Sequence, residues 1–388
     1  MMAWPTFACV LALLAACSTQ AASAQTEAER IDALMARYHA LGLFHGAVVV
    51  ARDGDVVYEG GFGLADATWG VPNGPDVSYR IASVTKPITA LLVFQEIERG
   101  ALSLDAPAAG YLPDFPAPID PRITVADLLI HASGIVDYAN DLSDDEYAAR
   151  YLYRRVPADS VVAAMVRRPL EFEPGTAHDY SNTGYVLIGL ILEATSGTPY
   201  CDLVRERVTE PAGMTGTGCA LFEPVVEGMA TGYRLGDDGR LTHAPFEPST
   251  YAEGVLYATP RDLVRLDAAL REGRVLSPAM QAVMAEPRVL TDHVGDDMGL
   301  GLIHSEAYGV ESVHRRPGAG ADSVTAYAMG GGMPPAWTAM WYRVPEDGVT
   351  IAVMNNAGAP PPLYPELFDI LYGRPYSLPA ERTDTEAP

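Results

Sequence analysis

The sequence predicts an α/β (α+β) fold in which an antiparallel sheet, flanked by helices, takes strands from both ends of the chain. Two β-rich runs within residues 46–63 flank the tripeptide Asp-Gly-Asp at 53–55, which is typical of a hairpin turn. Near the other end, strand-like runs at 337–343 and 349–354 flank a second turn at 345–348. Helical periodicity dominates the middle of the chain, so a mostly helical domain is inserted between the two sheet regions.

The length and composition are those of a folded enzyme larger than one typical domain. The chain has 388 residues, of which 48% are hydrophobic and 20% charged. We predict one folded unit over residues 25–376, with the sheet region at about 25–101 and 271–376 and the helical region at about 102–270. Residues 377–388 are polar and are predicted to form a flexible tail.

The charge balance and the motif content exclude several classes of function. The net charge of −24 argues against a nucleic-acid partner, because such binding depends on clustered Lys and Arg. The sequence has no Cys/His spacing typical of a zinc site, and no glycine-rich phosphate loop with its lysine. We therefore expect no metal and no cofactor.

Residues 1–24 are expected to be an export signal. The apolar run at 7–17 is too short to span a bilayer and is followed by small, polar residues. Leu-Ala-Ala-Cys ending at Cys17 resembles a bacterial lipobox, whereas Ala-Ser-Ala at 22–24 is a cleavage site, and both alternatives stay open. No Lys or Arg precedes the apolar run, which departs from both patterns and keeps a misassigned start codon or an uncleaved anchor as alternatives. We expect an exported protein, either periplasmic or an outer-membrane lipoprotein attached only through Cys17.

Cys201 and Cys219 remain under either processing route. In an oxidising compartment they can form a disulfide, and two buried free thiols are the alternative. The sequence does not decide between these alternatives, because it gives no Cα–Cα distance.

Lys86 is the only lysine in the chain, and it lies three residues after Ser83 in a Ser-Val-Thr-Lys motif. Arginine stays protonated in proteins, whereas the pKa of a desolvated lysine can fall until the amine accepts a proton. Residues 81–99 read as a buried helix, and Pro87 is compatible only with a position near its start, so we expect Ser83 in the first turn. Residues three apart share a helix face, so the amine can reach and activate the hydroxyl as a nucleophile.

Tyr180 and Asn182 lie two residues apart, immediately before an apolar helical segment. Ser-x-x-Lys followed by Tyr-x-Asn resembles the superfamily of serine β-lactamases, penicillin-binding proteins and D-alanyl-D-alanine carboxypeptidases, in its class C-like branch that includes many esterases. The resemblance covers roughly residues 30–372 and implies a β-lactamase/transpeptidase-like fold. Four further segments also look like this family: 123–135, 174–197, 210–218 and 253–266.

The resemblance implies acyl transfer without a cofactor. Ser83 would attack a carbonyl after its proton passes to Lys86, directly or through Tyr180. Tyr180 would be the base that activates the attacking alcohol or water, and Asn182 would hold the carbonyl side of the substrate. The backbone N–H groups of Ser83 and Gly332 would form the oxyanion hole.

The third motif of the family is where this chain departs from the pattern. Aligning residues 330–337 with the family pattern places Met329 where a cation is usual, next to the glycine run that includes Gly331, and both residues belong to the expected substrate-binding or oxyanion set. Because that cation pairs with the substrate carboxylate, a thioether there should weaken recognition of β-lactams and D-alanyl peptides and favour neutral esters or amides. His-Arg-Arg at 314–316 could restore a positive charge, although a solvated basic turn is the favoured interpretation.

Four other polar residues attract attention near these motifs. His131 is expected to be a buried, hydrogen-bonded imidazole rather than a base, and His178 could line the cleft. Glu171 and Glu173 are interpreted as surface charge rather than as a hydrolytic glutamate.

Together these observations predict a serine hydrolase that acts through an acyl-enzyme on a small-molecule ester, amide or peptide substrate. An esterase or a D-amino-acid peptidase is the first expectation, and a β-lactamase is the second. The alternative from another class is a non-catalytic homologue of penicillin-binding proteins that binds a peptidoglycan fragment or a partner protein.

Overall fold

The computed structural model of the protein describes most of the chain after the predicted signal. The described residues are 25–140, 142–152, 154–221, 225–236, 238–244, 250–286, 312–316, 324–358 and 363–380. The predicted signal at 1–24, with Cys17, and residues 381–388 of the predicted tail lie outside them.

Six strands form the main antiparallel sheet. The strands of the described residues are β1 (Gly46–Arg52), β2 (Asp55–Phe62), β3 (Leu64–Asp66), β4 (Val71–Pro72), β5 (Tyr79–Arg80), β6 (Gly218–Cys219), β7 (Tyr233–Leu235), β8 (Leu241–His243), β9 (Leu256–Ala258), β10 (Ser312–Arg316), β11 (Val324–Met333), β12 (Trp337–Val344) and β13 (Val349–Asn355). The main sheet has the order β10-β11-β12-β13-β1-β2, so strands from the two ends of the chain pair directly. This architecture confirms the predicted fold class.

Helices cover both faces of this sheet and make up most of the middle of the chain. They are α1 (Glu27–Ala40), α2 (Thr85–Glu98), α3 (Val125–Leu129), α4 (Asp144–Tyr151), α5 (Ala158–Met165), α6 (Asn182–Ser196), α7 (Tyr200–Val204), α8 (Glu210–Ala212), α9 (Pro260–Arg271), α10 (Pro278–Met284) and α11 (Tyr364–Leu371). None of the helices in the described ranges is long and apolar enough to cross a membrane.

The backbone conformations of the turn residues are those that the two predicted hairpins require. Between β1 and β2, Asp53 and Gly54 have φ values of 52° and 87°. Two consecutive left-handed residues form the kind of turn that matches the twist of a hairpin, and Asp and Gly tolerate this conformation best. Between β12 and β13, a single 3₁₀ turn ends at Gly348, whose φ is 64°. The Asp53 N–H donates to the Gly348 carbonyl at 2.9 Å, so the two hairpin turns are joined.

Successive side chains of β1 point to opposite faces of the sheet, and they are buried on both faces because each face is covered by helices. Val48 and Val50 pack into a core cluster with α1 and α11. Val49 and Ala51 point to the opposite face, where they meet Val264 of α9. Helices therefore sandwich the sheet, and α2 packs on the same side as α9 in the larger core cluster.

Helix α6 lies at the centre of the helical region, in contact with α2, α3 and α5. Ser181 caps its first turn by accepting the Gly184 N–H at 3.2 Å, and Gly197 ends the helix with a φ of 69°. A Cβ at Gly189 would lie 2.5 Å from the Tyr251 ring, so only glycine allows the segment before β9 to approach the helix this closely. This close approach brings residues 251 and 252 next to the middle of α6.

A disulfide joins Cys201 of α7 to Cys219 of β6, with a Cα–Cα distance of 6.0 Å. Of the two alternatives that the sequence leaves open, the structure contains the bridge. The bridge connects the helical region to the small sheet that β6 forms with β9 and β5.

We expect removal of this bridge to destabilise the fold. The two cysteines are 18 residues apart, and a closed loop of that length lowers the entropy of the unfolded chain enough to contribute about 3 kcal/mol. A variant with both Cys201→Ala and Cys219→Ala should therefore lose about that much free energy of unfolding in urea titrations. Adding a reductant should shift the wild-type midpoint and leave the double variant unchanged. Equal midpoints for the two proteins without reductant would contradict the prediction.

Candidate active site

Ser83 lies in the 3₁₀ turn Ala82–Val84, directly before α2. We expected it in the first helical turn, and the difference has a local cause. Ala82 has a φ of 47°, a left-handed conformation that costs an L-residue about 1 kcal/mol and reverses the chain before the helix begins. The hydroxyl of Ser83 therefore projects into a cleft rather than along the helix surface.

Lys86 is fully buried, and its amine contacts three oxygen atoms. The Nζ atom lies 3.2 Å from Ser83 Oγ, 2.8 Å from Asn182 Oδ1 and 3.0 Å from the Glu253 carbonyl oxygen. The amide and carbonyl oxygens can only accept hydrogen bonds, whereas the serine hydroxyl can donate or accept. A neutral amine can therefore donate to Asn182 and Glu253 and use its lone pair for the Ser83 hydroxyl. The contacts are thus compatible with both the protonated and the neutral amine.

Tyr180 contacts the same hydroxyl from the other side, with its phenol oxygen 2.8 Å from Ser83 Oγ. The Tyr180 ring also covers the Lys86 amine, which lies 4.7 Å from the ring centroid. Cation–π attraction of this kind favours a fixed position for the amine when it is protonated. Ser83, Lys86 and Tyr180 are thus brought together as predicted.

The His131 ring packs against the Tyr180 ring, with the two ring centroids 4.4 Å apart. Its Nδ1 accepts the Ser181 N–H at 3.1 Å, and the imidazole is buried. Burial, assisted by the nearby Lys86 and His178, holds the pKa of His131 well below its usual value, so the ring stays neutral. This agrees with the expectation of a buried, hydrogen-bonded imidazole.

Asn182 is held by a carboxylate that the sequence analysis did not single out. The Asp137 carboxylate accepts the Asn182 backbone N–H and lies 3.4 Å from Asn182 Nδ2. Because a carboxylate only accepts and a lysine ammonium only donates, the amide must turn its oxygen toward Lys86. The structure therefore makes Asn182 a partner of Lys86, and its contact with a substrate carbonyl stays a prediction. Asp137 follows the family-like segment at 123–135, which was the available signal.

Glu253 is a second site residue that sequence reasoning missed. Its carboxylate is 3% exposed and accepts hydrogen bonds from the Tyr138 hydroxyl at 2.7 Å and from the Tyr251 N–H at 3.0 Å. Burial raises the pKa of Glu253, and these hydrogen bonds and the nearby Lys86 oppose that rise. A buried carboxyl group thus lies directly behind the lysine.

The raised pKa predicts how Glu253 affects stability across the acid range. The native state binds this proton more tightly than the unfolded chain, so the contribution of Glu253 is most favourable below the unfolded pKa and falls as the pH rises through the folded pKa. The melting temperature of Glu253→Gln, relative to wild type, should therefore rise as the pH increases above about 4, the ordinary pKa of a glutamate. The control Glu227→Gln replaces an exposed carboxylate outside the cleft and should show no such trend. A pH-independent difference for Glu253→Gln would contradict the prediction.

The glycine run of β11 closes against the nucleophile turn. A Cβ at Gly331 would lie 2.2 Å from the Ile81 carbonyl oxygen and 3.0 Å from the Ser83 nitrogen, so the approach requires glycine. Gly332 has open space around its Cα and lines the cleft beside Ser83. The N–H groups of Ser83 and Gly332 as oxyanion donors remain a prediction that this close approach supports.

Met329 is not brought into the cleft, which corrects the expectation that it contributes to substrate binding. The side chain is 2% exposed and shares an apolar groove with Pro87, Leu91 and Trp341. Met329 is buried because α2 packs over this part of β11 in the tertiary structure. The His-Arg-Arg segment at 314–316 lies on β10. This strand pairs with β11 and is at the edge of the main sheet within the described residues.

The remaining polar candidates lie outside the described lining of the cleft. His178 packs edge-on against His131, with ring centroids 5.8 Å apart, and is not among the residues that line the cleft, so the alternative that it lines the cleft is not met. Glu171 is exposed, and Glu173 forms an ion pair with Arg122, as expected for surface charges. Within the described ranges, no group of three or more His, Cys, Asp or Glu side chains could hold a metal ion.

The cleft has a volume of about 550 Å³ and a chemically mixed lining. Its aromatic and aliphatic residues include four that come from the segment after α3 and from α4 with its C-cap: Tyr138, Leu142, Tyr147 and Leu152. Arg234, Thr250 and residues 333–335 also line the cleft. A substrate at Ser83 would therefore meet both apolar and polar side chains.

Comparison with known proteins identifies the family. The family model described as Beta-lactamase matches residues 28–370. The chain is 29% identical to Esterase EstB of Burkholderia gladioli, over 89% of this chain and 95% of the relative. It is 27% identical to Penicillin-binding protein 4* of Bacillus subtilis (strain 168), over 88% of this chain and 75% of the relative. The structure of D-amino acid amidase from Ochrobactrum anthropi SV3 complexed with L-phenylalanine amide superposes with a TM-score of 0.70 at 26% identity, over 88% of this chain and 95% of that chain.

These matches extend over the whole region that builds the site, and the solved structure shares the fold. The chain therefore belongs to the Beta-lactamase family, within the superfamily of serine β-lactamases and transpeptidases that also contains esterases, penicillin-binding proteins and D-amino acid amidases.

Proposed function

We propose that the protein is a serine hydrolase that cleaves ester or amide bonds through an acyl-enzyme on Ser83. The observation that carries the proposal is the pair of contacts on one hydroxyl, with Tyr180 at 2.8 Å and Lys86 at 3.2 Å from Ser83 Oγ. A serine flanked by two groups that can accept its proton is an activated nucleophile.

The arrangement supports a two-step reaction. In the first step the Ser83 proton passes to Lys86, directly or through Tyr180, while Ser83 Oγ forms a bond to the substrate carbonyl carbon. The negative charge on the carbonyl oxygen is stabilised by the N–H groups of Ser83 and Gly332. The bond to the leaving group then breaks, and that group takes the proton held by the site. In the second step Tyr180 accepts a proton from water as the water oxygen forms a bond to the acyl carbon. The bond between that carbon and Ser83 Oγ then breaks, and Oγ takes back the proton from Tyr180, which regenerates Ser83.

An esterase or an enzyme that cleaves D-amino-acid amides or peptides is the preferred substrate class. Met329 brings no cation from β11 into the cleft, so the recognition of a carboxylate at that position is weakened. Two of the relatives are named as an esterase and a D-amino acid amidase, which supports the same order. A β-lactamase is the second candidate, supported by the family itself.

Covalent labelling tests this proposal. Purified protein is incubated with a fluorophosphonate and, separately, with a penicillin, and the modified peptide is mapped by mass spectrometry. We expect a tag on Ser83 in the wild type and none in Ser83→Ala. A folded wild-type protein that neither reagent labels would contradict the proposal and favour a non-catalytic binding protein.

A substrate panel then ranks the substrate classes. We expect p-nitrophenyl esters or D-amino-acid amides to be turned over faster than nitrocefin or D-alanyl-D-alanine peptides. Turnover of nitrocefin as fast as that of the esters would reverse the order.

We also propose that the protein is exported. The Cys201–Cys219 disulfide supports this, because disulfides persist mainly in oxidising compartments such as the bacterial periplasm. Fractionation of cells, with detection of the mature protein, would test it.

A further inference from the structure

We propose that the guanidinium of Arg234 forms an anion-binding subsite in the cleft, and that the enzyme accepts substrates whose acyl part carries a carboxylate. This inference rests on the proposed function, because it names a substrate class for the same site.

Arg234 is held in place by its neighbours in the fold. It lies on β7, where the preceding residue, Tyr233, is buried and donates its N–H to the Asn356 carbonyl at 2.8 Å. The Tyr233 hydroxyl accepts the Ala67 N–H at 2.7 Å, and Arg234 itself pairs with Thr242 of β8. The backbone of Arg234 is therefore anchored, while its exposed side chain lines the cleft.

Arg234 lines the same cleft as the nucleophile Ser83 and the proposed oxyanion donor at Gly332. Thr250 and residues 333–335, which follow Gly332 along the chain, also belong to this lining. A substrate whose carbonyl oxygen lies at Ser83 and Gly332, and whose acyl part extends through the cleft, would place a terminal carboxylate within the same lining as Arg234.

The charges around the cleft leave this cation available for a ligand. Of the described residues that line the cleft, Arg234 alone is cationic and Glu253 alone is acidic. The Glu253 carboxylate is buried and already accepts hydrogen bonds from Tyr138 and Tyr251. No ion pair joins Arg234 to any residue in the described ranges, whereas Arg343, for example, pairs with Asp267 at 2.6 Å.

An available guanidinium is unexpected in a chain with 50 acidic and 26 basic residues, where most cations have carboxylates nearby. The guanidinium group presents paired N–H donors that match the two oxygens of a carboxylate. Since Met329 supplies no cation from β11, Arg234 is the group in the described cleft lining that can select an anionic substrate. The chemical class that fits is the monoester or monoamide of a short dicarboxylic acid.

Two esters of equal length test the subsite. Ethyl pentanoate and monoethyl glutarate have acyl chains of the same carbon number, and only the second ends in a carboxylate. For each protein, kcat/KM is measured for both esters, and their ratio reports the recognition of the charge. We expect Arg234→Gln to lower the ratio of glutarate to pentanoate about tenfold, mainly through KM, as for one charge-assisted contact that is partly open to water.

The matched control is Arg240→Gln, which removes the same charge just outside β8 and at a residue that does not line the cleft. Its ratio should equal that of the wild type. An unchanged ratio in Arg234→Gln, or an equal fall in both variants, would overturn the inference.

A binding measurement separates this inference from the proposed function. If the wild type hydrolyses neither ester, the esterase proposal fails, and calorimetry with glutarate monoamide on the Ser83→Ala protein still tests Arg234. We expect the double variant Ser83→Ala/Arg234→Gln to bind this ligand about tenfold more weakly than Ser83→Ala does. Equal affinity, or no binding to Ser83→Ala, would overturn the anion-binding subsite.

Discussion

Replacing Lys86 with methionine is expected to lower kcat/KM for ester hydrolysis by about 10³-fold to 10⁴-fold, because the variant lacks the amine that receives the Ser83 proton, directly or through Tyr180. The amine lies 3.2 Å from Ser83 Oγ, and Asn182 Oδ1 and the Glu253 carbonyl hold it there. Methionine matches the length of lysine and fills the buried space, but it cannot accept the proton. Steady-state kinetics and the rate of fluorophosphonate labelling measure the effect.

Two controls separate the loss of the base from a general loss of structure. Lys86→Met leaves two polar acceptors without their donor, at a cost of about 1–3 kcal/mol for a buried group, so the free energy of unfolding is measured for the same variant. Lys86→Arg keeps the charge and the donors but cannot release a proton at ordinary pH. It should therefore be impaired nearly as much as Lys86→Met. Substantial activity in the folded arginine variant would show that Lys86 is not the base.

The parts of this molecule that the sequence predicts well depend on local rules. The turn at 53–54 depends on two adjacent residues, Asp and Gly, and both have a positive φ in the structure. The spacing of Ser83 and Lys86 places their side chains on one side of a helical turn whether that turn is α or 3₁₀. The prediction of contact therefore holds, although the nucleophile lies one short turn earlier than expected.

Other site residues could not be predicted because they come from distant parts of the chain. Asp137, Arg234 and Glu253 belong to three separate segments. The fold alone brings Arg234 and Glu253 into the lining of one cleft and places Asp137 against Asn182. A single Asp, Arg or Glu carries no spacing signal of its own. Met329 is a residue that the sequence placed in the site and the structure does not. The alignment to the third motif gave its position on the strand but could not show that α2 buries its side chain.

Gly331→Ala is expected to lower kcat/KM by about 10²-fold, because β11, which carries the proposed oxyanion donor at Gly332, can no longer close on the nucleophile turn. The added Cβ would lie 2.2 Å from the Ile81 carbonyl oxygen and 3.0 Å from the Ser83 nitrogen. Both are backbone atoms, so the strand or the turn must move by about 1 Å to relieve the contact, and a displacement of that size at an active site has a large effect on rate. The loss should appear in kcat more than in KM, since the donors act on the charge that develops in the transition state.

Two other glycines show whether close approach is the cause. An added Cβ would meet nothing within 4 Å at Gly110, which lies outside the cleft, or at Gly332, which keeps its N–H when replaced by alanine. We expect Gly110→Ala to match the wild type and Gly332→Ala to lose less activity than Gly331→Ala. Overpacking at Gly331 should also cost about 1–3 kcal/mol of unfolding free energy, which thermal or urea denaturation measures. Wild-type kinetics in a folded Gly331→Ala protein would mean that β11 does not approach Ser83 as closely as described, and the oxyanion role of Gly332 would then lose its support.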